Sequence, residues 1–140
     1  MKTWNNYRLA DLPRVAKEIL EALEHAPKVW LFRGQMGAGK TTLSKELLAQ
    51  LGVAGSVQSP TFSLVNEHPS DKGNTIYHFD LYRLKNVQEA LAIGIEEYLD
   101  SGNFCLIEWP EQAEELWDFP HVNFQIEAIN ELERKLTLTW

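Results

Sequence analysis

With a single cysteine, Cys105, the chain has no internal disulfide to staple it. Cys105 sits in the apolar run Phe104-Cys105-Leu106-Ile107 and reads as a small buried hydrophobe. No apolar run approaches the ~20 residues that a membrane helix needs. The first ten residues carry Lys2, Thr3, Asn5, Asn6 and Arg8 where a secretory leader would be apolar, so a cytoplasmic location is expected. Basic charge is scarce: 13 Lys and Arg stand against 20 Asp and Glu, for a net charge of −7. A protein that grips nucleic acid by itself usually shows a basic face. An RNA in this chain's biology is therefore expected to be held by another protein, and neither DNA nor a membrane is an expected partner. Repeats, low-complexity tracts and Pro/Gly/Ser linkers are also missing, and 140 residues fit one domain over 1–140. A domain of this size buries about two-thirds of its unfolded surface, enough for one core.

What is present is strong periodicity. Leu12, Val15, Ala16, Ile19, Ala22 and Leu23 recur at spacings of three and four, which predicts an amphipathic helix over 10–24. Val29-Trp30-Leu31-Phe32 reads as a buried strand running into a glycine loop. Residues 42–51 read as a helix closed by Gly52. Pro60 pushes Ser59 towards an extended conformation within the mixed stretch 57–66, and 70–74 is a turn cluster. Residues 75–81 and 103–109 read as strands, the second stopped by Pro110, and Asn86 is placed to cap a helix over 87–99. Runs at 122–129 and 134–140 predict a C-terminal hairpin that adds antiparallel edge strands. The alternation of strands and helices predicts an α/β fold, with the C-terminal antiparallel hairpin at its edge.

The glycine loop carries the chemistry. Gly34-Gln35-Met36-Gly37-Ala38-Gly39-Lys40-Thr41 satisfies G-x-x-x-x-G-K-[ST], between an apolar strand and a helix. Glycines let the backbone turn tightly and bring N–H groups to phosphate oxygens, and the helix aims its positive end at the same place. Lys40 brings a compact charge to the β- and γ-phosphates of ATP. Thr41 offers a hydroxyl to Mg²⁺, which prefers hard oxygen ligands. Thr42 is placed to reach the α-phosphate. A plain flexible turn is the alternative, and the strand–loop–helix context argues against it.

Such a loop needs a carboxylate at the end of a neighbouring strand. Glu108 ends the strand Phe104–Ile107; the alternative is an ordinary charge where a strand meets solvent. Asp80 lies in Tyr77-His78-Phe79-Asp80-Leu81-Tyr82-Arg83, where His78, Asp80 and Tyr82 share one strand face. That face suits a site or a solvated sheet edge. Thr61, in Ser59-Pro60-Thr61-Phe62, stands where P-loop switches often carry a phosphate-sensing hydroxyl, though from pattern alone a simple Ser/Thr turn is the favoured reading. His25, His68 and His121 have no partners at zinc-ligand spacing. Trp109 stands out from the other tryptophans because it follows Glu108 directly.

Taken together, these stretches resemble the TsaE family of bacterial tRNA threonylcarbamoyladenosine biosynthesis proteins, small P-loop ATPases. The matching segments run in the family's order: the loop 34–42, Ser59-Pro60-Thr61-Phe62-Ser63-Leu64-Val65, Tyr77 to Leu84, Gly94-Ile95-Glu96-Glu97-Tyr98, and Leu106-Ile107-Glu108-Trp109-Pro110. The loop is widely shared; the other stretches are much more specific. The resemblance implies a single P-loop NTPase-type domain with a mixed, mostly parallel central sheet and a C-terminal antiparallel hairpin. It also implies slow ATP hydrolysis with Mg²⁺ and action with the TsaB–TsaD complex, which modifies the adenosine beside the anticodon of ANN-decoding tRNAs. The ATPase is thought to reset that complex between turnovers. The resemblance assigns the loop backbone and Lys40 to phosphate, Thr41 and Glu108 to Mg²⁺, and Asp80 and Thr61 to the metal and switch region. Arg134 is the counterpart of a nucleotide-contacting arginine near the C-terminus, and a further contact is expected near Arg8. Gln35-Met36 departs from the family's usual Asp-Leu, at positions that contribute backbone, and the first and last 25 residues match loosely. Two other readings stand beside the ATPase: a nucleotide-dependent binding switch with incidental hydrolysis, and a small-molecule kinase. The kinase would need an arginine-bearing lid, yet only Arg83 and Arg134 follow Lys40.

Overall fold

A computed structural model describes residues 1–55 and 64–140. Its elements are β1 (Lys2–Tyr7), α1 (Leu12–Ala22), β2 (Val29–Arg33), α2 (Lys40–Gln50), β3 (Val65–Pro69), β4 (Thr75–Asp80), α3 (Val87–Ala92), α4 (Ile95–Leu99), β5 (Cys105–Glu108), β6 (Val122–Ala128) and β7 (Arg134–Thr139). The seven strands form one sheet in the order β1-β7-β6-β2-β5-β4-β3. The four central strands, β6, β2, β5 and β4, run parallel; β7, β1 and β3 are antiparallel to their neighbours. This is the expected α/β architecture with a mixed sheet.

Strand parity sorts the core into two layers. Trp30, Phe32, Leu106 and Ile76 face one side, with α1 and α2. Val29, Leu31, Cys105, Ile107 and Phe79 face the other, with residues of α3, α4 and Trp117. Burial on both faces is why β2 reads as an unbroken apolar run rather than an alternation. The parity has a consequence at the strand ends: Glu108 follows Leu106 by two, and His78 and Asp80 follow Ile76 by two and four. All three project on the α2 side.

Three expectations need correction. The N-terminal strand β1 was not foreseen, because Lys-Thr-Trp-Asn-Asn-Tyr shows no alternation and only Tyr7 is buried. It pairs along β7, so the hairpin does not form the sheet edge: β7 is covered by β1, and β6 lies parallel against β2. The helix over 87–99 is two helices, because Gly94 at φ 76 leaves the right-handed region between α3 and α4. The Asn86 cap is present, its Oδ1 accepting from the Glu89 N–H at 3.2 Å.

Cys105 is buried, and burial pushes its thiol up from 9.0 to about 12. The folded chain therefore holds this proton more tightly than the unfolded chain. The associated stability is intact below pH 9 and is lost as pH rises from there towards about 12. Near neutral pH the native protein should resist thiol alkylation, and unfolding in denaturant should release one reactive thiol. Mass spectrometry of iodoacetamide-treated samples checks this; rapid labelling of the native chain would contradict the burial.

Candidate functional site

The site is built where the parallel strands end, the usual ligand position in open α/β sheets. β2 runs directly into the glycine loop, and α2 starts at Lys40 behind it. Gly37 at φ 80 and Gly39 at φ 102 occupy the left-handed region that favours glycine. Gly34 is constrained by space: a Cβ there would sit 2.6 Å from the Ile126 carbonyl oxygen, a backbone atom of β6. Gly34→Ala should displace the loop and destabilise the fold by about 1–3 kcal/mol, the scale of overpacking. Urea unfolding measures this; an unchanged midpoint would show that the loop accommodates a methyl group.

Lys40 is buried, and its Nζ donates to the Gly34 carbonyl at 2.6 Å. The same ammonium lies 3.2 Å from the centre of the Trp109 ring. Burial pulls the Lys40 pKa below the usual lysine value, opposed by the charges of Glu111, Glu108 and Asp80. Trp109 adopts φ 59, unusual for a residue with a side chain, and its ring packs 5.0 Å from that of Tyr82. The turn places an indole over the lysine just after the strand's last residue, with Pro110 following.

Register brings the carboxylates together. Asp80 on β4 and Phe32 on β2 both stand opposite Glu108 on β5. Glu108 is only 1% exposed, which rules out an ordinary charge at a solvent-facing strand end. Its Oε1 accepts from the Thr41 hydroxyl at 2.6 Å, and its Oε2 lies 2.7 Å from His78 Nε2. Asp80 accepts from the Tyr82 N–H at 3.0 Å. Burial pushes the Asp80 carboxyl above its usual value, and the nearby Glu108 charge pushes the same way.

Arg134, at the start of β7, grips the loop from the other side. Its Nε donates to the Ala38 carbonyl at 3.0 Å and one terminal nitrogen to the Gly37 carbonyl at 3.4 Å. The other terminal nitrogen is bonded to the carbonyls of Asn130 and Glu133. Arg134, Met36, Gly37, Lys40, Thr41, Asp80, Tyr82, Glu108 and Trp109 line a cleft of about 350 Å³. A second cleft, of about 240 Å³, continues past Gly39 and Thr42 between Tyr7, Arg8, Leu9, Leu12 and Leu132. Gln35 lines neither of these; it borders a hollow with Met36, Ala38 and the end of β6.

Thus Gly37, Gly39, Lys40, Thr41, Asp80, Glu108 and Arg134 converge, with Thr42 and Arg8 at the adjoining cleft. Thr61 lies outside the described residues. Two contributions escaped sequence reasoning. His78 was seen to share a face with Asp80, but its bond to Glu108 depends on β4 lying beside β5. Arg33 pairs bidentately with Glu114 at 2.8 and 3.1 Å and bonds Asn123, tying the 3-10 segment Pro110–Leu116 to the end of β2. No local pattern links Arg33 to residues 81 and 90 positions away.

The donor set suits Mg²⁺. Thr41 and Glu108 present hard oxygens at the loop's mouth, with Asp80 in register. Among the described residues no group of three or more His, Cys, Asp or Glu forms a cage.

The family model "Threonylcarbamoyl adenosine biosynthesis protein TsaE" matches residues 7–136. The tRNA threonylcarbamoyladenosine biosynthesis protein TsaE of Haemophilus influenzae is 43% identical over 106 residues, covering 72% of this chain and 66%, just under two-thirds, of that protein. The TsaE protein of Bacillus subtilis is 32% identical over 97% of this chain and 84% of its own length. Among solved structures, the crystal structure of Bacillus subtilis YdiB superposes with a TM-score of 0.74 at 28% identity, covering 98% of this chain and 83% of that one.

Proposed function

The chain belongs to the TsaE family, and we propose that it is a Mg²⁺-dependent ATP-binding protein and slow ATPase that acts with TsaB–TsaD in threonylcarbamoyladenosine modification of tRNA. The observation that carries the nucleotide reading is the 2.6 Å contact between Thr41 Oγ1 and Glu108 Oε1 at the mouth of the loop. A phosphate-binding lysine and a metal-binding hydroxyl, both at the start of α2, meet a buried carboxylate at the end of β5 there.

In this reading the loop's N–H groups and Lys40 bind the β- and γ-phosphates. Arg134 holds the Gly37 and Ala38 carbonyls away from the phosphates and so keeps the loop shaped for anions. Thr41 and Glu108 hold Mg²⁺, with Asp80 beside them. A Mg²⁺ ion held there would supply positive charge to offset that of the phosphates. The nucleoside lies in the cleft between Arg8, Leu9, Leu12, Leu132 and Thr42, whose leucines suit a flat base. Hydrolysis breaks the bond from the γ-phosphorus to the bridging oxygen as water attacks, giving ADP and phosphate. With a net charge of −7 the chain reaches tRNA through its partners.

Lys40→Ala tests the binding step. It removes charge-assisted contacts of ~1.5–3 kcal/mol each, so ATP affinity should fall at least about tenfold with the fold kept. Calorimetry measures it, and unchanged affinity would remove the basis for the phosphate site.

A further inference from the structure

Among the described residues only Lys40, Ser44, His78 and Glu108 are buried polar or charged side chains. Lys40 and Glu108 have roles in the site above, and Ser44 bonds the carbonyl of Lys40 at 2.6 Å. His78 is the one without an assigned task. It is fully buried, its Nε2 lies 2.7 Å from Glu108 Oε2, and its Nδ1 is buried with no hydrogen-bond partner. The ring therefore makes a single polar contact, and that contact is to the site.

We infer that His78 is a positioning residue for the metal-binding carboxylate, its Nε2–H fixing Glu108 so that Oε1 faces Thr41. This rests on the Mg²⁺ reading of the site. A carboxylate only accepts, so Nε2 is the nitrogen that carries the proton in this contact. The Thr41 bond alone anchors one oxygen and leaves the carboxylate free to swing about its last torsion. A second anchor on Oε2 removes that freedom. Geometry makes the second anchor possible: β4 lies parallel to β5 with Asp80 opposite Glu108, and His78 is two residues earlier on the same face. As mere filling, an imidazole with one nitrogen unsatisfied is a poor choice, since a leucine of similar size buries no unpaired polar atom. Groups that orient a metal ligand are typically worth 10–100-fold in metal affinity or activity.

The test is calorimetric titration of ATP with and without Mg²⁺, alongside turnover, on the full chain. Variants are His78→Leu, His78→Asn, His78→Gln, Glu108→Ala and the Glu108→Ala/His78→Leu pair. His78→Leu should cut the Mg²⁺-dependent gain in affinity about 10–100-fold while metal-free binding is unchanged. His78→Gln, whose amide reaches as far as Nε2, should recover most of the gain; His78→Asn, whose amide stops short, should not. In the Glu108→Ala background His78→Leu should cost nothing more, because the two act as one unit. If His78→Leu does not fold, the contrast between Gln and Asn decides. A full Mg²⁺ gain in His78→Leu or His78→Asn would overturn the role of His78. So would equal losses with and without metal, or an added loss on top of Glu108→Ala. An unaltered chain that shows no Mg²⁺-dependent gain would instead overturn the metal site, and the role of His78 with it.

Discussion

Adding TsaB–TsaD is expected to raise ATP turnover by this chain, by up to about 10³–10⁵-fold if a partner supplies an arginine to the γ-phosphate, as arginine fingers do in trans. The expectation comes from what the site commits elsewhere. Lys40 is the one ammonium at the loop, and Arg134 is the only arginine among the described residues lining the main cleft. Its guanidinium is already bonded to the carbonyls of Ala38, Gly37, Asn130 and Glu133. Charge that develops on the γ-phosphate in the transition state thus meets no arginine from the described residues, only Lys40 and the loop's N–H groups. Phosphate release would be followed with the chain alone, with each partner, and with the pair. Rapid turnover by the isolated chain, or turnover indifferent to the pair, would show the coupling to be wrong.

The second large effect concerns Glu108. Glu108→Ala should lower Mg²⁺-dependent turnover by about 10² or more, the scale seen when one preorganised electrostatic group is removed from an active site. Part of the loss could come from the fold, because Thr41 and His78 lose their acceptor in a buried setting, at ~1–3 kcal/mol for each group left unpaired. Metal-free nucleotide binding and a thermal unfolding curve separate the two causes. A variant that binds metal-free ATP normally but no longer gains from Mg²⁺ has lost a ligand and not its structure. Turnover equal to that of the unaltered chain would exclude Glu108 from the site. Glu108→Gln adds a further distinction. If it stops hydrolysis yet supports tRNA modification in a reconstituted reaction, the chain works as a binding switch and its hydrolysis is incidental.

The loop, the strand and helix around it, and the α/β alternation are all legible from the order of residues alone. Each of these depends on residues near one another in the chain: glycines at fixed offsets before Lys40, an apolar run ahead of them, apolar spacings of three and four in α1. The specific stretches around Asp80 and Glu108 also carried the family, because they recur in order. Which of these residues touch one another came from the packing of distant segments. Whether Glu108 was a surface charge or a buried carboxylate depended on β5 lying between β2 and β4, and strand order is set by burial between segments far apart in sequence. The same adjacency supplied His78 as its partner. Strand β1, with a single buried residue, has no local pattern to announce it and exists because β7 offers an edge to pair with. The lysine beneath Trp109 follows from a left-handed turn after β5, held where Pro110 and the Arg33–Glu114 pair fix the next segment. Local chemistry named the groups; long-range packing chose which of them meet.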